Sequence, residues 1–373
     1  MRVKEAMVEG CGKRYILTYS NGEPVFAVAE YLKSLDSTGK SVNTQRTYCY
    51  ALKQYFEFLN QYELGYENIG VKELSDFLGW LRFPDYNSEL VFMVQPKPKR
   101  CERTANLILS VVCGFYGYLY RTGCLEHDLN DSLIKVARGG VRKYKDFLYH
   151  VTKQRPQIQN YLKIKEPIQK FRVLNKDEMQ AIYEAAGNIR DKFLIRLLFE
   201  TGLRIGEALS LWVNDFSYSH SNGHQIKLTV RGELENGARL KSGARDIHIS
   251  QALMDLFDDY LYTVLDEIGM ESNYVFVKLK GKSKGNPMTY IDVSAVFKAI
   301  SAKTGLHVTP HLLRHTHATI LYGKTKDIKQ VQERLGHAQV QTTLAMYVHP
   351  SDEDIRHSWE EAQAIFDLEG GAK

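Results

Sequence analysis

The sequence predicts a mainly α-helical protein with a small antiparallel β-sheet, arranged as a helical domain followed by a mixed α+β domain. Residues 25–140 hold several segments with apolar residues at helical spacing. After residue 172 the pattern becomes mixed, because two alternating segments, HQIKLTVRG and RDIHIS, predict paired strands among further helices. A length of 373 residues is sufficient for two domains that each bury their own core.

Residues 1–24 predict short strands that cap the helical domain. The segments KRYILTY and VFAV flank Asn21-Gly22, a pair that favours the tight turn of a β-hairpin. The same VFAV residues also begin the first of four amphipathic segments, PVFAVAEYLKSL, TQRTYCYALKQYFEFLNQY, VKELSDFLGWLRF and ERTANLILSVVCGFYGYLYRTG. The fourth segment ends at Gly123, where a glycine commonly terminates a helix. We expect the aromatic residues of this domain to pack in its core: Tyr48, Tyr55, Phe56, Phe58, Phe115 and Tyr118.

A basic segment, residues 141–171, separates the two domains. Together with Arg172 it carries nine Lys and Arg against two acidic residues, and two prolines interrupt it. Such a charge run most commonly marks a solvated linker. The second domain, residues 172–350, begins with Asn175 as a helix N-cap and Glu178 as its capping-box partner. Residues 351–373 predict a tail helix that Ser351 caps and that carries an apolar stripe.

Composition excludes several classes of protein. No apolar run approaches the roughly 18 residues that span a bilayer, and residues 1–10 contain no signal peptide, so we expect a cytoplasmic protein with no membrane partner. All five cysteines lie in the first third without CxxC spacing, which argues against a zinc site or a disulfide framework. A net charge of +5 permits nucleic acid as a partner without requiring it.

Four polar residues in the last part of the second domain suggest chemistry on a phosphodiester. His311 and Arg314 stand at i and i+3, on one helical face, and His337 and Tyr347 follow. Arginine binds non-bridging phosphate oxygens with two donors, histidine moves protons, and a phenol can attack phosphorus. Taken alone, H-x-x-R more often marks a surface pair than an active site.

Two upstream segments strengthen the interpretation. Arg204 follows a Thr-Gly turn in FETGLRIGEAL, and Glu207 stands three residues later, where it either orients a basic neighbour or lies on the helix surface. Lys241 lies in LKSGARDIHI, at a polar turn before the second predicted strand. The motifs TGLRIGE, HLLRHTHAT, LGHAQVQTT and MYVH, with this lysine between the first and second, span residues 199–349 in that order.

In both their residues and their order, these motifs resemble those of the tyrosine recombinase (phage integrase-type) family. Within that family, the N-terminal region of this chain looks like that of transposon-encoded recombinases of the transposase A type. The resemblance implies a helical core-binding domain, a mixed α+β catalytic domain, and a site-specific recombinase that cleaves and rejoins DNA through a 3′-phosphotyrosyl intermediate. It implies no cofactor, neither metal nor ATP. It also implies double-stranded DNA with inverted-repeat core sites as partner, and a homo-tetramer on two duplexes joined through C-terminal helices.

The same resemblance implies a role for each residue of the site. Arg204 and Arg314 bind the scissile phosphate, and Tyr347 is the nucleophile. His311 accepts the proton of the tyrosine, Lys241 protonates the departing 5′ oxygen, and His337 steadies the phosphate. Tyr322 is the alternative nucleophile, although its helix predicts packing, and Lys227 is the alternative lysine, although it lies within a strand.

DNA contacts are expected at the N-terminal ends of the second and fourth helices, where polar and basic residues gather. In the family these two helices enter adjacent major grooves. The basic linker is then expected to cross the duplex as a strap, with Lys143 and Lys145 on the backbone. The expected residues at the two helix starts are Asn43, Thr44, Arg46, Arg100 and Arg103, with Asn106 also polar there.

Three other functions fit part of the pattern. His311, His315 and His317 form a cluster that suggests a zinc hydrolase, but the glutamate of H-E-x-x-H is missing. A non-catalytic DNA-binding regulator would not be expected to keep all six polar residues to which the resemblance gives a catalytic role. A type IB topoisomerase would share the chemistry, and the apolar tail helix favours a recombinase over it.

Overall fold

The computed structural model describes residues 1–8, 12–83, 97–136, 158–167, 172–219, 223–269 and 273–336. The chain divides into two compact units, Met1–Ile168 and Gln169–Lys373. The predicted mainly α fold with small antiparallel sheets is confirmed in both. Most of the basic linker and the whole tail lie outside the described residues, so the predicted strap and tail helix stay predictions.

The first unit begins with a two-stranded antiparallel ribbon. Strand β1 (Arg2–Val8) pairs with β2 (Gly12–Thr18), with Glu5 opposite Tyr15 and Lys4 opposite Ile16. The prediction that VFAV forms a strand was wrong, because Val25 is the N-cap of helix α1 (Phe26–Ser37). Asn21-Gly22 does form a turn, closed by the bond from the Tyr19 amide to the Glu23 carbonyl (2.8 Å).

Four long helices form the body of this unit, as predicted: α1, α2 (Val42–Gln61), α3 (Val71–Arg82) and α4 (Glu102–Arg121). Aromatic residues fill the space between them: Tyr55, Phe56, Phe58 and Phe115 are buried, with Tyr48 and Tyr118 half-buried. The hydroxyls of Tyr55 and Tyr116 lie 2.5 Å apart, and that of Tyr116 donates to the Tyr66 carbonyl (2.9 Å). The expected aromatic core is therefore present, with its buried hydroxyls satisfied.

The end of the first unit folds back onto α4. A short helix α5 (Leu129–Leu133) leads into β3 (Ile134–Val136), which pairs with β4 (Ile158–Asn160). Asn106, only 4% exposed, donates to the Ile164 carbonyl (2.8 Å) and to Glu166 (2.9 Å), and its Oδ1 accepts from the Ile164 amide (2.9 Å). Asn106, which the sequence showed only as a polar residue near the start of α4, is thus a structural anchor.

The second unit is built around one buried helix. Its helices are α6 (Lys176–Ala185), α7 (Ile189–Thr201), α8 (Ile205–Ala208), α9 (Gln251–Tyr260), α10 (Asp266–Ile268), α11 (Tyr290–Thr304), α12 (Pro310–Thr325) and α13 (Ile328–Leu335). Most of helix α7 is buried: Phe193, Leu194, Ile195, Leu197 and Leu198 are all fully buried, and only a narrow face with Arg196 and Glu200 reaches solvent. It packs against α9 and α12, so the turn at its C-terminal end has a fixed position.

A three-stranded antiparallel sheet completes the unit, in the order β5 (Phe216–Ser219), β6 (Gly223–Leu228) and β7 (Arg245–His248). The last two are the predicted strands, and the first was missed because FSYS is too short to show a clear alternation. Asn175 caps α6 with the predicted capping box to Glu178. Among the described helices, none has both the length and the apolar character needed to cross a membrane.

Candidate active site

The site begins at the turn that follows α7. Gly202 ends the helix in the left-handed conformation (φ 66°), which a glycine adopts without strain. A Cβ at this position would lie 2.6 Å from Cδ2 of His317 and 2.8 Å from Cδ2 of Leu335. Arg204 follows as the N-cap of α8, with its side chain about one third exposed. The absence of a side chain at Gly202 therefore lets His317 of α12 and Leu335 of α13 pack closely against the turn that precedes Arg204.

Glu207 is the centre of the site. Its side chain is 1% exposed, and Oε2 accepts the backbone N–H of Arg204 (2.9 Å). Three guanidinium groups surround the carboxylate: Nη1 of Arg204 lies 3.3 Å from Oε1, and Nη2 of Arg245 lies 3.1 Å from Oε2. Nη1 of Arg314 lies 3.8 Å from Oε2. Of the two roles that the sequence left open for Glu207, the structure supports the orienting one.

These neighbours keep Glu207 ionised. Burial on its own raises the pKa of a carboxyl group, because it penalises the charged form. Here the positive charge of Arg245, together with hydrogen bonds from Ser242, Arg245 and the Arg204 amide, outweighs burial and lowers the pKa of Glu207 below its ordinary value. The carboxylate therefore carries a full negative charge against which the arginines are held.

Arg314 is held at both ends of its guanidinium group. It lies on α12, which begins with Thr309 as N-cap and Pro310 in the first turn, and its side chain is 2% exposed. Nη1 donates to the carbonyl of Gly202 (2.6 Å) and Nη2 to that of Leu335 (2.8 Å). Arg314 thereby connects the end of α7 with the end of α13.

The C-terminal end of α13 accepts hydrogen bonds from all three arginines. The carbonyl of Arg334 accepts from Nε of Arg245 (3.0 Å), and that of Leu335 accepts from Arg314 and, at 3.4 Å, from Arg204 and Arg245. Cations near the last carbonyls of a helix also complement its dipole. Gly336 then ends the helix in the left-handed conformation (φ 64°). The predicted His337 comes next, and both it and Tyr347 lie outside the described residues.

Lys241 lies where the sequence placed it, in the segment between β6 and β7, and is exposed. The next residue, Ser242, has its hydroxyl bonded to Nη1 of Arg204. The alternative lysine, Lys227, lies within β6. The structure thus places the lysine segment beside the arginine cluster, although the two are far apart in sequence.

Histidines on α12 differ in their surroundings. His311 is exposed at the start of the helix, one turn before Arg314, and its ring lies 4.3 Å from that of His315, edge to face. His317 is buried: Nδ1 donates to the carbonyl of Phe199 (2.9 Å), and Nε2 accepts from Nε of Arg334 (3.2 Å). Both nitrogens of His317 have protein partners, which removes it from the zinc interpretation.

Sequence reasoning missed Arg245. It begins β7 as a charged residue in an alternating segment, a position that usually faces solvent, yet its side chain is 13% exposed and pairs with Glu207. The one sequence signal for a role in the site was that Arg245 follows the predicted catalytic Lys241 by four residues. The alternative nucleophile Tyr322 is half-buried and packs against Ala318, Val331 and Leu335, as its helix predicted.

The predicted DNA-contacting residues of the first unit lie at the expected helix starts. Asn43 and Arg46 are exposed on α2, and Arg103 is exposed on α4. Thr44 bonds the hydroxyl of the N-cap Ser41 (2.9 Å). Arg100 donates to the Leu81 carbonyl (2.9 Å), so part of its guanidinium group is engaged within the protein. Lys143 and Lys145 lie outside the described residues.

Comparison with known protein families agrees with this geometry. The Phage integrase family matches residues 172–354, and the Phage integrase, N-terminal SAM-like domain matches residues 28–123. Transposase A from transposon Tn554 of Staphylococcus aureus is 41% identical over 347 residues, which cover 92% of this chain and 93% of the relative. The chain belongs to the phage integrase family of tyrosine recombinases. The predicted family, and its transposase A branch, are confirmed.

Other tyrosine recombinases share the sequence pattern and the fold. Tyrosine recombinase XerA of Pyrococcus horikoshii is 28% identical over 344 residues, 92% of this chain and 95% of the relative. The solved Tn1549 transposon integrase, in complex with transposon right end DNA, has a TM-score of 0.63 at 16% identity and covers 90% of this chain and 99% of its own. The solved XerH recombinase bound to its difH substrate has a TM-score of 0.57 at 21% identity, and the match covers 91% of this chain and 85% of the XerH chain.

Replacing Glu207 tests the arginine cluster. Glu207→Gln keeps the shape of the side chain but removes the charge that three arginines share, so we expect the free energy of unfolding to fall by about 3 kcal/mol or more. The matched control is Glu333→Gln, because Glu333 pairs with Lys329 at 4.0 Å on an exposed surface. Its expected loss is below about 1 kcal/mol. Equal losses in urea unfolding would contradict a central role for Glu207.

His317 predicts a dependence of stability on pH. Burial, followed by the charge of Arg334, lowers the pKa of His317 to about 4. In the unfolded chain the imidazole titrates near 6.5, so between these values only the unfolded state binds the proton. Stability due to this group is therefore complete above pH 6.5 and is lost as the pH falls towards 4.

The measurement is urea unfolding at pH 7.5 and pH 5. Between these values His317 should account for a loss of about 2 kcal/mol in the free energy of unfolding. His317→Asn keeps a donor for the Phe199 carbonyl and cannot titrate, so its loss should be smaller by that amount. Parallel losses in the two proteins would mean that His317 is not the titrating group.

Proposed function

We propose that this protein is a site-specific recombinase that cleaves and rejoins DNA through a covalent 3′-phosphotyrosine at Tyr347, for the integration, excision or transposition of a mobile element. The observation that carries the proposal is the convergence of Arg204 and Arg314 on one buried carboxylate, Glu207, at the end of the helix that leads to His337. Similarity to a transposon-encoded transposase supports the link with a mobile element.

The arginines suit the transition state of phosphoryl transfer. A pentavalent phosphorus concentrates negative charge on its equatorial oxygens, so donors that are already in position stabilise it without reorganisation. Arg204 is one third exposed and can reach a phosphate from the surface. Arg314 is held beside Glu207 by its bonds to the carbonyls of Gly202 and Leu335, so its positive charge already lies next to Arg204. Both arginines are therefore proposed to bind the non-bridging oxygens.

The remaining residues move protons and form the new bond. The hydroxyl oxygen of Tyr347 attacks phosphorus, the P–O5′ bond breaks, and the phenolic proton passes to His311. Lys241, exposed beside Ser242, protonates the departing 5′ oxygen. His337 is proposed to hydrogen-bond the phosphate. The phosphoester is conserved on the enzyme, so rejoining is the reverse reaction and needs neither ATP nor a metal ion.

The proposed partner is double-stranded DNA with inverted-repeat core sites. Structures of the Tn1549 integrase and of XerH contain DNA, which supports this partner. We further propose that four copies assemble on two duplexes through the C-terminal helices, residues 351–373. The enzyme would act in the cytoplasm, on the DNA of the nucleoid.

Two phenylalanine substitutions test the nucleophile. Tyr347→Phe removes only a hydroxyl, so the protein should fold and bind DNA, yet form no detergent-resistant adduct with a DNA site. Tyr322→Phe is the matched control, because Tyr322 packs beside α13, and it should retain the adduct. Adduct formation by Tyr347→Phe would refute the assignment.

An alanine substitution tests the phosphate-binding role of Arg204. Loss of one preorganised donor lowers the rate of such reactions by roughly 10²–10³-fold. We expect Arg204→Ala to slow cleavage by at least that factor, with little change in affinity, since affinity is spread over many phosphate contacts. The control is Arg196→Ala, which removes a surface cation 3.7 Å from Glu200. Equal losses in binding and in cleavage would give Arg204 a merely positional role.

A further inference from the structure

The N-terminal ribbon is fixed to the helical unit. Tyr15 and Leu17 of β2 are 7% and 0% exposed and belong to the same core as α2 and α4. Nε of Arg14 donates to Asp36 at the end of α1 (2.9 Å), which holds the ribbon from a second side. The ribbon is therefore a rigid part of the surface that the helical unit presents.

One ring joins the ribbon to the predicted DNA-contacting end of α2. The ring of Tyr15 has Nζ of Lys13 at 5.9 Å from its centroid, and Cζ of Arg46 lies at the same distance. Arg46 is also 5.9 Å from the ring of Tyr50, which is 44% exposed. Cations placed over aromatic rings at this distance are attracted to them, which limits the directions in which the two side chains point.

Residues of α2 continue the same surface. Asn43, Arg46 and Tyr50 are exposed at i, i+3 and i+7, so they follow one face of the helix from its N-terminal turn. The N-terminal end of a helix of 20 residues adds the positive end of its dipole. Lys13 therefore extends a surface that already favours anions.

The ribbon carries a net positive charge, which also favours the binding of anions. The described residues of β1 and β2 contain four basic side chains, Arg2, Lys4, Lys13 and Arg14, against one acidic side chain, Glu5. Glu5 pairs with Lys13 at 2.5 Å, and the two side chains are 54% and 46% exposed. An exposed pair of this kind is weak, so a phosphate can replace the carboxylate at little cost.

We propose that Lys13 of the ribbon and Arg46 of α2, which both lie 5.9 Å from the centroid of the Tyr15 ring, bind phosphates of a DNA strand, and that the ribbon extends the DNA-binding surface of the helical unit. The proposal rests on the proposed function, since it assumes a DNA substrate. It gives the ribbon a role beyond that of a cap on the helices.

The ribbon itself provides a matched control. Side chains alternate between the faces of a strand, so Lys4, next to Glu5, lies on the face opposite to Lys13 and Tyr15. Its Nζ reaches the turn at Gly22, 3.9 Å from the position of a Cβ on that residue. Lys4→Gln and Lys13→Gln therefore remove the same charge from the same ribbon, on opposite faces.

The experiment uses the full chain and a duplex of mixed sequence, with the dissociation constant measured by fluorescence anisotropy over a series of salt concentrations. Each lost phosphate contact should reduce the slope of log affinity against log salt by roughly 0.9. We expect that reduction for Lys13→Gln and for Arg46→Gln, and no change for Lys4→Gln. Glu5→Gln frees Lys13 and should bind more tightly than the wild type.

A slope for Lys13→Gln equal to that of the wild type, or equal reductions for Lys13→Gln and Lys4→Gln, would overturn the proposal. Adduct formation by the wild type on a recombination site, not on the mixed-sequence duplex, is measured in parallel. If the wild type forms the adduct and the ribbon variants behave alike, only the ribbon proposal fails. If the wild type binds duplex DNA through Lys13 but forms no adduct, the proposed recombinase chemistry fails instead.

Discussion

The structure of the candidate site depends on one buried carboxylate, that of Glu207. A buried charge is unfavourable unless partners and hydrogen bonds compensate for it. Here Arg204, Arg245 and Arg314 provide that compensation, and each of them comes from a different segment of the chain. The interaction therefore fixes α8, β7 and α12 around Glu207, and it holds together the two arginines that are proposed to bind phosphate.

The same guanidinium groups also fix the end of α13. They donate to the carbonyls of Arg334 and Leu335, where a helix lacks internal partners. On the other side, Arg334 bonds His317 and the carbonyls of Glu200 and His248. The helix that precedes His337 is thus tied to the arginine cluster through both its backbone and its side chains. This accounts for the neutral, buried state of His317, which acts here as a structural acceptor.

Local patterns predicted much of this fold. The four helices of the first unit, Gly123 beyond the end of α4 and the capping box at Asn175 are signals within a few residues, and the structure contains them. The VFAV segment was ambiguous, because a short apolar run fits a strand or a buried helix start. Asn106 and Arg245 could not be assigned, because their partners lie 58 and 38 residues away and leave no mark on local periodicity.

The most direct test of this account is to identify the residue that becomes attached to DNA. A nicked duplex that loses its 5′ fragment would trap the covalent complex, and protease digestion with mass spectrometry would locate the DNA-linked peptide. The expected product is a peptide that contains Tyr347, joined to DNA through a 3′ phosphate, together with a DNA fragment that has a free 5′ hydroxyl. A linkage to Tyr322, or to a 5′ phosphate, would contradict it.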